Sequence, residues 1–214
     1  MIIHWNTVSP LLKEILIDLM TENLFSPFRL VGGTALSLQI GHRMSVDIDL
    51  FSDSEYGSLD FKEFRSYLEN KYPYCESRNM DNVSFGTYFY VGYSKDEYVK
   101  IDFYYTDTFV FDEIITENIR MASPEEIIAM KLEVTLNSKR KKDFWDLHYY
   151  LSIYTIDGMI SFYNLRYPYN DNSTIKKELL DFGETDFEPN PICLLNKDWE
   201  VIKLDFYEKL NANQ

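Results

Sequence analysis

Two carboxylates set two residues apart inside an apolar run restrict this chain's fold more than any other feature. Val46-Asp47-Ile48-Asp49-Leu50-Phe51 alternates as a strand does, so Asp47 and Asp49 point to one face while Ile48 and Leu50 point to the other. Like charges at that spacing repel each other and lose hydration unless a cation or hydrogen-bond donors compensate, so the acidic face has to open onto a site. Thirteen residues separate Asp47 from Val31-Gly32-Gly33, with Thr34 next, where a short strand at 28–31 is expected to turn into a helix at 34–40. Glycines at such a turn leave backbone N–H groups free to meet phosphate oxygens. A phosphate cradle and a clamp for a hard cation, one short helix apart, are the minimum equipment for moving a nucleotide from a triphosphate to an acceptor.

A third carboxylate is available in Tyr98-Val99-Lys100-Ile101-Asp102-Phe103-Tyr104, which alternates so that Lys100, Asp102 and Tyr104 share the polar face. Beside strand 46–51, Asp102 would complete a cluster for two Mg²⁺ ions, with Lys100 as a counter-charge. One ion then activates the attacking hydroxyl and the other neutralises the pyrophosphate leaving group. The competing account is a surface Asp pair on an edge strand and a solvent-facing Asp102; the apolar flanks Val46, Ile48, Leu50 and Phe51 speak against it. Three smaller polar positions accompany the motif. Thr34 is expected to cap the helix start and to meet the triphosphate. Arg43 could grip a phosphate with its bidentate fork or pack against the acidic loop 52–57. Ser45 could bond a phosphate or a metal-bound water, or cap the strand. His148 is expected only to pack.

The rest of the chain reads as helices and strands in alternation. Ser9-Pro10 opens an amphipathic helix through Leu19, and another helix is expected near 59–70. Segments 83–91, 98–105 and 108–115, rich in aromatic and β-branched residues, read as a strand meander. Ser123-Pro124-Glu125-Glu126 has the cap, proline and acidic first turn of a helix through Met130, Lys131 and Leu132. Helical patterns follow at 142–152, 157–165, 174–182 and 198–210, with an irregular connection over 182–197. An α/β half at 1–118 and a helical half at 119–214 result.

The 35 acidic and 21 basic side chains leave a net charge of −14, so a polyanion has to dock on a local patch. Lys139-Arg140-Lys141-Lys142 is the dense basic cluster, its alternative being a solvated helix turn. Cys75 and Cys193 stand far apart with no CxxC spacing, which predicts reduced thiols and no zinc. No apolar run reaches membrane-spanning length, and the start Met1-Ile2-Ile3-His4-Trp5-Asn6 lacks a signal-peptide pattern, so no membrane association and a cytoplasmic location are expected.

The spacing hydrophobic-Gly-Gly, thirteen residues, Asp-hydrophobic-Asp-hydrophobic resembles the signature of the DNA polymerase β-like nucleotidyltransferases. The fuller wording Gly32-Gly33-Thr34-Ala35-Leu36 and His42-Arg43-Met44-Ser45-Val46-Asp47-Ile48-Asp49-Leu50-Phe51 is similar to the AbiEii/AbiGii toxin family, the group that includes the MenT tRNA-modifying toxins. Lys131-Leu132 and Lys142-Asp143-Phe144-Trp145-Asp146-Leu147 resemble that family's two later motifs, and the likeness spans about residues 28–151. The resemblance implies an α+β fold, a mixed sheet with flanking helices followed by a mainly helical half. It implies that Lys131 contacts the triphosphate and that the Asp143/Asp146 helix supports the nucleotide site; the alternative is a plain Lys131–Asp146 ion pair between packed helices. It further implies an Mg²⁺-dependent toxin that transfers NMP from an NTP to a tRNA 3′ end, docked through Lys139–Lys142, with a winged-helix antitoxin as partner. Glu133 and Ser138 depart from the pattern. A protein side chain or an aminoglycoside-like small molecule as acceptor, and a non-catalytic nucleotide-binding module, are the other functions this sequence admits.

Overall fold

The alternation of the central strands decides which side of the sheet is filled with apolar side chains. The computed structural model describes residues 2–77 and 85–211. Ser9 caps α1 (Pro10–Thr21) through its Oγ, which accepts from the Leu12 amide at 3.1 Å. β1 (Arg29–Leu30) leads into α2 (Gly32–Ile40), then β2 (Asp47–Ser52) and α3 (Phe61–Lys71). β3 (Tyr74–Ser77), β4 (Gly86–Ser94), β5 (Glu97–Tyr105), β6 (Ile114–Thr116) and β7 (Ile119–Met121) follow. Helices α4 (Pro124–Asn137), α5 (Lys141–Tyr150), α6 (Ile156–Arg166), α7 (Ile175–Glu178) and α8 (Trp199–Asn211) complete the described chain.

The seven strands form one mixed sheet in the order β3-β4-β5-β2-β1-β7-β6. β2 runs parallel to β5 and β1 parallel to β7; the other neighbours are antiparallel. On one face Ile48, Leu50, Phe89, Ile101 and Phe103 are fully buried. Phe25, Phe28 and Phe64 pack around the Phe103 ring at centroid distances of 5.2–5.4 Å. Each such side chain contributes about 1.5–3 kcal/mol on leaving water, so this face is what anchors α1 and α3 to the sheet. The other face carries the acidic residues, and there α2 packs on β2 and reaches α4 and α5. Among the described residues no helix is long and apolar enough to cross a membrane.

Four expectations shift. The strand expected over 83–91 is observed from Gly86, residues 83 and 84 lying outside the described ones. Segment 108–115 is not a strand over most of its length. The amides of Val110 and Phe111 donate to the buried Glu126 carboxylate at 3.0 and 2.9 Å, the Phe109 amide donates to Asp53 at 3.1 Å, and only Ile114 onward pairs. Glu126 in turn holds Arg166, both side chains being fully buried. The sheet extends past residue 118, since Ile119–Met121 pairs with both β6 and β1. The helix expected over 174–182 stops at Glu178; Lys139 takes the Asp181 carbonyl and carboxylate at 3.1 and 2.7 Å, which turns the chain away from a longer helix.

Candidate active site

Residues in register on parallel strands share a face, and β2 and β5 place Asp47 opposite Lys100 and Asp49 opposite Asp102. Asp49 leans on the first turn of α2, where a Cβ on Gly32 would stand 2.4 Å from its Oδ2. Gly32 also holds a φ of 68°, a conformation that costs other residues about 1–2 kcal/mol. The next residue makes room for a cation: a Cβ on Gly33 would stand 2.2 Å from Nη2 of Arg43. The glycine pair therefore seats a carboxylate and a guanidinium side by side against one helix start. Gly32→Ala is expected to lower nucleotidyl transfer about a hundredfold through displacement of Asp49, with the far-UV circular dichroism unchanged. Wild-type turnover in that variant would exclude Asp49 from the chemistry.

Burial, then the neighbouring Asp102 and Asp47 charges, push the Asp49 carboxyl up to about 6, with Lys131 and Lys142 opposing. Lys100 Nζ donates to Asp102 Oδ2 at 2.5 Å, so one cation already stands at the third carboxylate. Among the described residues no three His, Cys, Asp or Glu side chains close tightly enough to hold a metal ion by themselves. The expected cluster is thus a shared face with Asp102 engaged by Lys100, not a closed set of ligands.

Across α2, helices α4 and α5 supply a buried ionic wall. Asp146 Oδ1 accepts from His42 Nε2 at 2.7 Å and Arg43 Nε at 2.6 Å. Its Oδ2 accepts from Arg43 Nη2 at 2.9 Å and lies 2.7 Å from Lys131 Nζ. Lys131 also donates to Asp143 Oδ1 at 2.5 Å, and Arg140 Nε donates to Asp143 Oδ2 at 3.0 Å. Burial alone would raise the Asp146 carboxyl, but the Lys131 and Arg43 charges and the His42 hydrogen bond hold it well below the usual carboxylate range. Burial likewise works against the Lys131 ammonium, and Asp146 and Asp143 outweigh it and hold its pKa above the ordinary lysine value.

Several expected contacts are corrected by this wall. The Arg43 fork does not pack against the acidic loop: it is closed on Asp146, and its Nη1 donates to the Met44 carbonyl at 2.9 Å. Lys131 is enclosed by two aspartates, which is the ion-pair alternative. Thr34 does not cap α2, whose N-cap is Val31; its Oγ1 donates to the Asp47 carbonyl and lies 2.8 Å from Ser45 Oγ. Thr34 and Ser45 thus brace the start of β2 from inside.

The basic run is mostly spent within the fold. Lys139 pairs with Glu178 at 2.6 Å and Asp181 at 2.7 Å, and the buried Lys141 Nζ donates to the Glu188 carbonyl at 2.5 Å. Lys142, unlike the other three, has neither an ion pair nor a side-chain hydrogen bond among the described residues. Burial first, then Arg140 and Lys131, lower its pKa, against the pull of Asp47.

The description of a protein family, nucleotidyl transferase AbiEii toxin of type IV toxin–antitoxin systems, matches residues 14–212 of the chain. The chain belongs to this family. As a member of the AbiEii family it is a nucleotidyltransferase, a toxin-class enzyme whose substrate is a nucleoside triphosphate and whose family works with an antitoxin partner. An uncharacterized protein of Aquifex aeolicus is 27% identical over 215 residues, covering 92% of this chain and 93% of that one. Two solved structures share the fold. JHP933 from Helicobacter pylori is 20% identical with a TM-score of 0.60, covering 94% of this chain and 88% of that one. MenT4, a nucleotidyltransferase toxin from Mycobacterium tuberculosis, is 13% identical with a TM-score of 0.59, covering 94% and 82%.

His42 is the residue of this AbiEii site that sequence reasoning passed over. Its signal was Gly41, whose φ of 69° ends α2 and delivers the next two side chains straight to Asp146.

Proposed function

We propose that the chain transfers NMP from an NTP to an acceptor hydroxyl at the cleft between the carboxylate face of β2 and β5 and the helices α4 and α5, with a tRNA 3′ end as acceptor. The observation that supports it is the set of Asp47, Asp49 and Asp102 on one face, beside the free amides of the α2 start and the unpaired Lys142. Residues 1–118 would carry the carboxylates and residues 119–214 would close the cleft.

The donor set fits hard divalent cations such as Mg²⁺: three carboxylates share a face, and burial with the neighbouring Asp102 and Asp47 charges pushes the Asp49 carboxyl up to about 6, a cost that a bound cation would offset. Asp47, Asp49 and Asp102 would hold the ions, which when bound neutralise the triphosphate and activate the attacking hydroxyl. The chain's own groups do the rest. The first-turn N–H groups of Gly32, Gly33 and Thr34 have no partners within the helix and would be available to phosphate oxygens. Lys142 meets the phosphate charge. Lys131, Arg43 and His42 keep α5 in place by holding Asp146.

For the acceptor, four tyrosines lead away from Asp102 across the same face. Tyr88, opposite Asp102, touches Tyr90 at 5.5 Å; Tyr90 touches Tyr98 at 5.2 Å, and Tyr98 touches Tyr74 at 5.9 Å. Aromatic rings bind the bases of an unpaired strand by stacking, which suits a protein of net charge −14 whose basic run is largely neutralised internally. The antitoxin would be a separate winged-helix protein.

Incubation with each labelled NTP, Mg²⁺ and total RNA is expected to label tRNA, and EDTA to abolish the labelling. Label on protein or on a small cationic acceptor, with RNA unlabelled, would overturn the tRNA assignment.

A further inference from the structure

Strands β3, β4, β5 and β2 stand side by side in the sheet, and their register sets two rows of side chains across the face opposite the apolar core. One row runs Asp47, Lys100, Tyr90 and Glu76, the other Asp49, Asp102 and Tyr88. Tyr98, on the same face of β5, touches Tyr90 and is 47% exposed; Tyr74, Tyr88 and Tyr90 are half-buried. Lys100 thus stands at the seam between the carboxylates and the tyrosines. Its Nζ donates to Asp102 Oδ2 at 2.5 Å and lies 5.4 Å from the centre of the Tyr88 ring, while 34% of its side chain remains exposed.

Four carboxylates, on Asp47, Asp49, Asp102 and Glu76, share these rows with the one cation of Lys100, so a phosphate chain laid across them meets net repulsion. Divalent cations held by Asp47, Asp49 and Asp102 would reverse that balance, and would also take from Lys100 the partner it now has. An ion pair as open to water as Lys100–Asp102 is weak and exchanges readily. The ammonium, on its flexible stem, is then left beside the rings on which unpaired bases would stack.

Taking an RNA end as the acceptor, as proposed above, we infer that Lys100 couples cation binding to acceptor binding. Without cations it neutralises Asp102; with them bound, its ammonium serves a backbone phosphate of the unpaired strand stacked on Tyr88, Tyr90 and Tyr98. The two ligands then bind cooperatively, and by linkage each strengthens the other by the same factor.

Fluorescence anisotropy of a short, end-labelled single-stranded RNA on the full chain, without NTP and at constant ionic strength, reads this coupling. The native chain is expected to bind the RNA about fivefold more tightly in Mg²⁺ than in EDTA. Lys100→Met is expected to lose that response and to stay within about twofold of the native affinity in EDTA. Tyr98→Ala is expected to weaken binding about tenfold in both conditions, because stacking needs no cation. Lys95→Met, an equal loss of charge at the exposed turn between β4 and β5, is the control for net charge and should keep the response. With no RNA present, Mn²⁺ binding followed by electron paramagnetic resonance is expected to be about fivefold tighter in Lys100→Met, since the ion no longer competes with the ammonium for Asp102. An Mg²⁺ response in Lys100→Met equal to the native one, or an Mn²⁺ affinity that the substitution leaves unchanged, would overturn the coupling and leave the RNA acceptor standing. Absence of RNA binding by the native chain in both conditions would overturn the acceptor reading and the coupling with it.

Discussion

Asp49→Asn is expected to give a protein that no longer transfers nucleotide and yet unfolds at a higher temperature than the native chain. The loss follows from removing one of the three carboxylates that would hold the cations, a change of about a thousandfold or more in rate. The gain in stability follows from the same residue's surroundings. Burial and two neighbouring aspartates push the Asp49 carboxyl up to about 6, so the folded chain favours its protonated form. Its contribution to stability is then fully present below about pH 4, the ordinary aspartate pKa, is lost as the pH rises through about 6, and stays lost above. An uncharged asparagine escapes that loss. Above pH 6, in metal-free buffer, the variant should exceed the native chain by about 2 kcal/mol, or roughly 4–8 °C in melting temperature. At pH 4 the two should coincide. Chemical denaturation at pH 4 and pH 8 in EDTA is the measurement; equal stability at pH 8 would show that the carboxylate face stores no repulsion.

The opposite outcome is expected one layer deeper. Asp146→Ala removes the shared partner of His42, Arg43 and Lys131, leaving cations on the buried Arg43 and Lys131. Breaking such a pair from one side costs about 3–5 kcal/mol, because the surviving charge stays out of water. The pH profile carries the signature. A carboxyl held well below its usual range contributes stability that is present above about pH 4 and is lost as the pH falls through its lowered value. Lys131 mirrors this at the alkaline end, with stability present below the ordinary lysine value and lost as the pH climbs through the raised one. The native chain should therefore lose stability steeply below pH 4, and Asp146→Ala should lose much less over the same interval. A cost under about 1 kcal/mol at neutral pH would mean that water reaches the wall and screens it.

The parts that could be drawn from the sequence are those fixed by local periodicity. Alternation in 46–51 and 98–104 specified both faces of β2 and β5, and their side-by-side register then brought Asp49 opposite Asp102. The glycine pair was visible as a turn into a helix, though not that Gly33 makes room for a guanidinium. Whatever depended on a distant partner was not visible. Arg43 looked like a phosphate ligand because Asp146, 103 residues away, could not be paired with it by spacing. Lys139 and Lys141 looked like an exposed patch because Glu178, Asp181 and Glu188 belong to a connection with no periodic pattern. Segment 108–115 has strand composition, and one buried helical carboxylate, Glu126, claimed its amides instead.

One short pairing has a bearing on when this enzyme can act. The Met44 amide donates to the Ile192 carbonyl and the Leu194 amide to the His42 carbonyl, both at 2.9 Å, so residues 42–44 are clipped to 192–194. That clip flanks the two side chains that grip Asp146. A ribosome that has released the sheet and α5 has therefore still not delivered the strand that locks the His42-Arg43 corner. Contacts of such long separation form late. The corner that grips Asp146 is thus completed only once residues 192–194 are in place.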